Sequence, residues 1–310
     1  MKYFEKLTEE YRPAFNVEDL EYFMSMQEAK PVGTPDHSAQ KWNIRAEFWE
    51  KERRNHRKND ERVNNTVAFL EQKGILHKDC DIADIGCGPG RFAAAFAKRA
   101  RFVLGLDISE KMVAHGMEYI QRQGLSNAHL RVCDFQTLDI RKEGYERKFD
   151  LVFSSLTPAI HGMQGILKSM EMSRGYCLNI THIYWENHLR TRIMREVFGR
   201  DMVSQWNGGW YYSLFNVLYL LGYYPETSYE TRHQERLVKP EEEYVGFLME
   251  HMLPEKERIK ENKSKIFSWL QEHADENGYL QEESESCYGR IFWDVRKKTQ
   301  RPDYHIMKGV

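Results

Sequence analysis

The chain has 310 residues, 41% of them hydrophobic and 30% charged, with a formal net charge of −2. This apolar fraction suffices for a packed core and excludes a wholly disordered chain, and the length fits one large domain or two ordinary ones. With 45 Lys and Arg against 47 Asp and Glu, there is no global positive excess to hold a polyanion, so nucleic acid is not expected as the main partner.

The first residues, MKYFEKLTEEYRPAF, carry charges throughout and lack the apolar centre of a signal peptide. No apolar run approaches the ~20 residues that span a bilayer, so no membrane partner is expected. The five cysteines (Cys80, Cys87, Cys133, Cys177, Cys287) have neither a CxxC pair nor the Cys/His spacing of a zinc site, and no metal site is expected. Read as reduced thiols, they imply a cytoplasmic protein. Oligomeric state is left open.

Residues 1–60 read as polar helix. Trp42, Ala46 and Trp49 fall at i, i+4, i+7 on one face. The basic run Lys51–Lys58 reads as a solvated helix face, and the Pro- and Gly-containing segment 30–36 reads as a loop. A helix over 60–73 ends at Gly74, a C-cap. Short apolar runs then alternate with helical ones. Strands are predicted at 81–86, 101–107, 129–135, 149–155 and 175–183, the last preceded by a helix around 160–172. This alternation argues for a parallel sheet covered on both faces. Residues 184–223 are rich in Trp and Tyr, and Tyr211, Phe215 and Tyr219 form a helical stripe that reads as core. Two late β-rich stretches, 226–238 and 286–297, bracket a charged helical segment.

The strongest motif is Asp84-Ile85-Gly86-Cys87-Gly88-Pro89-Gly90-Arg91, between a predicted strand and a predicted helix. Glycines there let the chain turn sharply and let a ligand approach the backbone, beside the N–H groups of a helix start. A nicotinamide dinucleotide fold would place its third glycine at 91, where this chain has Arg91. Asp84 would also sit poorly beside a pyrophosphate but well beside an ammonium group. The motif therefore points away from a dinucleotide. Asp107, in Leu104-Gly105-Leu106-Asp107-Ile108-Ser109, ends the second strand where an acid can accept from ribose hydroxyls, and Ser109 is a helix N-cap. Cys133-Asp134-Phe135 sets a third acid at a strand's carboxyl end. The thiols of Cys87 and Cys133 read as packing.

These four ordered motifs, DIGCGPG, GLDIS, VCDF and FDLVFSS, resemble those of the class I S-adenosylmethionine-dependent methyltransferases, over about residues 60–185. The resemblance implies an α/β Rossmann-like fold: a seven-stranded mixed sheet, its last strand antiparallel, with helices on both faces. It further implies S-adenosylmethionine as cofactor. Gly86, Cys87, Gly88 and Gly90 would cradle its amino-acid part, Asp84 would face the ammonium, and Asp107 would hold the ribose hydroxyls. Ile108 and Met112 would pack on the adenine, Asp134 and Phe135 would bind it, and Ser154 would complete the pocket. The chain then divides into an N-terminal helical extension or lid (1–58), a cofactor-binding core (59–185), a helical aromatic insertion (186–223) and the remainder of the core (224–310).

Methyl transfer from a sulfonium is a direct displacement, so the protein's task is alignment and exclusion of water. A base is needed only where the acceptor must lose a proton. The loop after the fourth strand, Phe153-Ser154-Ser155-Leu156-Thr157-Pro158-Ala159-Ile160-His161, lacks the Asn/Asp-Pro-Pro-aromatic tetrapeptide that some base- and amide-modifying relatives share. His161 is the candidate base. Trp42, Thr157, His182, Trp206 and Trp210 are candidate substrate contacts. The aromatic content and near-neutral charge lead to the expectation of a small organic acceptor. An RNA or protein acceptor, and a non-catalytic module that only binds the cofactor, are the alternatives.

Overall fold

The computed structural model describes residues 15–28, 38–43, 45–46, 61–202 and 208–306. Helix α1 spans Val17–Glu28 and α2 spans Glu61–Gln72. Alternation follows through β1 (Asp81–Ile85), α3 (Arg91–Ala97), β2 (Phe102–Asp107), α4 (Glu110–Arg122), β3 (Ala128–Val132), β4 (Phe149–Ser155), α5 (Gly162–Met172) and β5 (Ser173–Asn187). The chain then forms α6 (His188–Phe198), α7 (Gly208–Leu220), β6 (Glu226–Val238), α8 (Glu242–Met252), α9 (Lys260–His273) and β7 (Leu280–Asp294).

The strands build one seven-stranded mixed sheet in the order β3-β2-β1-β4-β5-β7-β6. β1 pairs in parallel with β2 and β4, β2 with β3, and β4 with β5. All five residues of β1 are buried, as expected of a central strand covered on both faces. Its neighbours set its register at both ends. At the amino end, the Asp81 N–H donates to Asp150 Oδ2 at 2.8 Å, and Arg174 bridges Asp150 (2.7 Å) and Asp81 (3.3 Å). At the carboxyl end, Ile85 lies opposite Leu106 and Ser154. The sequence change from β2 to β4 order at β1 creates the crevice at which ligands bind in open α/β sheets.

The chain separates into two compact units, one of 1–181, 209–228 and 290–310, the other of 182–208 and 229–289. This spatial division differs from the linear one at 58, 185 and 223, because β5, β6 and β7 each contribute residues to both units. In unit 1 the core is aromatic behind β1: Phe153 meets Phe92 at 4.7 Å and Phe96 at 5.1 Å. Helix α1 belongs to this unit and is fastened at its start and its middle. The Asn16 side chain exchanges hydrogen bonds with Pro302 O (2.7 Å) and the Tyr304 N–H (2.8 Å), and Phe23 meets Tyr212 of α7 edge-on at 5.4 Å. Unit 2 has its own core, where Leu189 and Ile193 of α6, Leu248 of α8 and Ile266 and Leu270 of α9 are buried together with Leu280.

Three extents differ from the sequence expectation. β3 stops at Val132, so Cys133, Asp134 and Phe135 lie in the following loop. β5 and β7 are each 15 residues long, well beyond their apolar centres. The acidic start of β7 has low strand propensity, and a side-chain network holds it: Glu282 accepts from Asn187 Nδ2 at 2.7 Å and from Arg236. On α7, Tyr211 is buried with Leu214, Val217 and Leu218, whereas Phe215 and Tyr219 are half-buried and stack on each other. The stripe of i, i+4, i+8 aromatics is thus only partly core, because the helix turns its Leu and Val positions inward.

Candidate active site

The carboxyl ends of β1, β2 and β4 carry the motif residues. β1 delivers Asp84, 2% exposed, with Oδ2 free of any hydrogen-bond partner. Burial first, and the Asp107 charge second, push its carboxyl up to about 8, against the pull of the Ala93 N–H and Arg62. A buried acid with an unused oxygen is costly unless something cationic completes it.

The loop after β1 is pinned to β2: the Gly86 and Cys87 N–H groups donate to Leu106 O at 2.7 and 3.1 Å. Gly86 has φ +69°, and a Cβ there would fall 1.9 Å from Thr157 Oγ1. Both facts require glycine. Thr157 therefore lies against the glycine loop, with its Oγ1 accepting from the Ala159 N–H at 3.1 Å. Cys87 is buried, its sulfur next to the α-carbon side of Gly105, and burial raises its thiol pKa far above the usual range. Its side chain packs, and only its backbone faces the loop.

Asp107 ends β2 and anchors two turns at once. Oδ2 accepts from the Gly88 N–H at 2.8 Å and Oδ1 from the Ser109 N–H at 2.9 Å. A carboxylate oxygen accepts from backbone N–H groups and from hydroxyls alike. Ser109 caps α4 by accepting from the Met112 N–H at 3.1 Å, and Met112 is buried beneath it while Ile108 stays half-exposed. Asp134 accepts from the Gln136 N–H at 2.9 Å, and Phe135 is buried. Lys168 of α5 donates to both Phe135 O and Gln136 O at 2.8 Å, clamping this loop.

Ser154 is buried on β4 and accepts from Asn179 Nδ2 of β5 at 2.9 Å. Asn179 Oδ1 and Ser155 Oγ are buried with no hydrogen-bond partner. The next residue, Leu156, has φ +51°, a conformation that costs a non-glycine residue about 1–2 kcal/mol. His161 stands at the N-cap of α5 without capping it through its side chain, and is half-buried. Glu28, the last residue of α1, closes in beside it. The Met163 N–H donates to Glu28 Oε1 at 3.2 Å, and a Cβ on Gly162 (φ +62°) would sit 2.2 Å from that oxygen.

The remaining substrate candidates scatter. Trp42 is half-buried with the Arg45 guanidinium 4.9 Å over its ring. It is brought to the edge of the motif by its neighbour Asn43, whose Oδ1 accepts from Ser109 Oγ at 2.6 Å and from the Lys111 N–H at 3.3 Å. Trp210 is half-buried in the first turn of α7. His182 falls in unit 2, its ring 4.7 Å from that of Tyr288. Trp206, Trp49 and the run Lys51–Lys58 lie outside the described residues. Sequence reasoning missed Glu28, Asn43, Lys168 and Asn179. Only Asn179 left a visible signal, as a polar residue interrupting the apolar run of β5.

Asp84 with its unused oxygen, the close approach that glycine permits at 86, and the Asp107 carboxylate at the end of β2 fit an amino acid joined to a ribose. Residues 76–197 match the family described as a methyltransferase domain. Over those residues the chain carries a methyltransferase domain, of the kind that takes S-adenosylmethionine. Among curated relatives, the 23S rRNA (uracil(1939)-C(5))-methyltransferase RlmD of Xanthomonas euvesicatoria is 31% identical over 37% of this chain and 24% of that protein. Human EEF1A lysine methyltransferase 2 is 28% identical over 36% of this chain and 49% of its own length. The chain thus spans about a quarter of the bacterial relative and half of the human one. Magnesium protoporphyrin IX methyltransferase from Synechocystis aligns over 89% of this chain and 95% of its own, with 14% identity and a TM-score of 0.41.

The relatives correct one expectation. A small-molecule acceptor with no nucleic acid was read from the near-neutral charge, whereas these relatives act, by name, on ribosomal RNA and on a protein lysine. Net charge averages the whole surface, while a macromolecule responds to the local field. Among the described residues, no helix is long and apolar enough to cross a membrane.

Proposed function

We propose that this protein transfers a methyl group from S-adenosylmethionine to an amine of a protein side chain. The cofactor supplies the activated methyl carbon. Asp84 pairs with its ammonium, Asp107 accepts from its ribose, and the loops after β1 and β4 hold it against water.

The observation that carries the choice of acceptor is Glu28. An alkylamine is an ammonium in solution, so it must be bound by acceptors and lose a proton before its lone pair can attack. Glu28 presents a carboxylate at the end of the loop after β4, next to His161. Asn179 Oδ1 on β5, opposite Ser154, and Ser155 Oγ at the end of β4 are buried with no hydrogen-bond partner. In this reading Glu28 holds the incoming ammonium and His161 receives its proton.

The test is methyl transfer from labelled cofactor into a cell extract, followed by separate protease and nuclease digestion. The expected result is protease-released label that hydrolyses to methylated lysine. Label released only by nuclease overturns the protein reading in favour of RNA.

A further inference from the structure

Within unit 2, β5, α6, β6, α8 and β7 gather a second polar cluster that the methyl-transfer chemistry does not use. Its centre is Arg190, only 5% exposed. The guanidinium carbon lies over the rings of Trp185 at 4.8 Å and Phe247 at 5.0 Å. Both rings lie within cation–π reach of the guanidinium and take up none of its N–H donors. Nε is fully buried without a hydrogen-bond partner.

The neighbouring acid cannot complete it. Glu282, itself buried, already accepts from Asn187 through Oε1 and from Arg236 through Oε2. Tyr244 faces the same acid and keeps its proton, since burial and the Glu282 charge both raise its pKa. Among the described residues, the carboxylate nearest in charge to Arg190 is thus one that Arg236 already holds. Burial lowers the Arg190 pKa, opposed by Glu282. A buried cation without an acceptor is strongly destabilising unless an anion joins it. Unit 2 as a whole holds 18 Asp and Glu against 12 Lys and Arg, so this buried cation does not follow from the unit's general charge.

We infer that unit 2 contains an oxyanion-binding site, in which Arg190 takes a carboxylate or phosphate group edge-on. A guanidinium matches either oxyanion through two parallel N–H···O bonds. The aromatic rings hold the fork in place, so little rotamer entropy is lost on binding.

The experiment is thermal unfolding of the full chain in inorganic phosphate or acetate, against chloride at matched ionic strength, for wild type, R190M and R190K. The expected result is a rise of about 2 °C or more in the wild type with at least one of the two anions. The anion giving the larger rise distinguishes phosphate from carboxylate. R190M is expected to lose this rise while melting no lower than the wild type in chloride, because it removes an uncompensated buried charge. R190K keeps the charge without the fork, so its rise should be smaller. The site is overturned by no rise in the wild type with either anion, by a rise that persists in R190M, or by an R190M protein that melts well below wild type in chloride, which marks Arg190 as packing.

Discussion

Unit 1 and unit 2 each bury a carboxylate, and they treat it in opposite ways. Asp84 in unit 1 keeps one oxygen unpartnered and has its carboxyl pushed up to about 8. Glu282 in unit 2 has both oxygens occupied, by Asn187 and Arg236, and the unsatisfied group beside it is a cation, Arg190. An unfilled acid suits a cationic ligand, and an unfilled guanidinium suits an anionic one. Buried polar groups left incomplete in a folded chain thus indicate ligand charge more sharply than the whole-chain net charge, which here is near zero.

The comparison breaks most easily at the glycine loop. Gly86→Ala combines a strained backbone with overlap against Thr157, so cofactor binding should weaken by about 3 kcal/mol, on the order of a hundredfold. Calorimetry with S-adenosylmethionine measures it, and unchanged affinity would contradict the placement of the cofactor. In unit 2, Ile266→Ala empties a fully buried position and should cost about 2–5 kcal/mol of that unit's stability. If the units are energetically separate, cofactor affinity in the same variant stays as in wild type.

Asp107→Ala strands the Gly88 and Ser109 N–H groups as well as the ribose hydroxyls, at about 1–3 kcal/mol in cofactor affinity. Chemical denaturation should show a parallel loss of stability, because the carboxylate braces two turns even without ligand.

The Asp84 contrast can be sharpened with pH. Its folded pKa is raised above the unfolded value of 3.8, so between about 4 and 8 the folded, cofactor-free state holds a proton that the unfolded chain has lost. Its contribution to stability is therefore greatest below that window and declines as pH rises through it. Pairing with the cofactor's ammonium needs the carboxylate, so affinity should increase from pH 6 to 8, by at most about tenfold per unit. Asp84→Asn should bind weakly with a flat profile, and a flat wild-type profile would refute this role. The smallest effect belongs to Asn43→Ala, which removes two acceptor bonds at the start of α4 and should lower cofactor affinity by about 0.5–1.5 kcal/mol.

Much of unit 1 could be read from the chain alone. The short strands β1, β2 and β3 end at a glycine turn or an acid that punctuates them, and Asp84, Asp107 and Asp134 stand at or just beyond those strand ends. Unit 2 was legible in part: the β-rich stretch 226–238 is β6 and the charged segment after it is helical, but the start of β7 gave no signal. Gln281, Glu282 and Glu283 argue locally against a strand, and only Asn187 and Arg236, 95 and 46 residues away, make that strand stable.

By itself the sequence determined the alternation of elements, the glycine loop and the acids at the strand ends, since these depend on short-range periodicity and on backbone conformations open only to particular residues. The tertiary structure alone decided that α1 brings Glu28 to Gly162, that Asn43 joins Ser109, and that Arg190 is buried without a carboxylate of its own. Such pairings depend on burial and on contacts across large sequence separations, which no local pattern encodes.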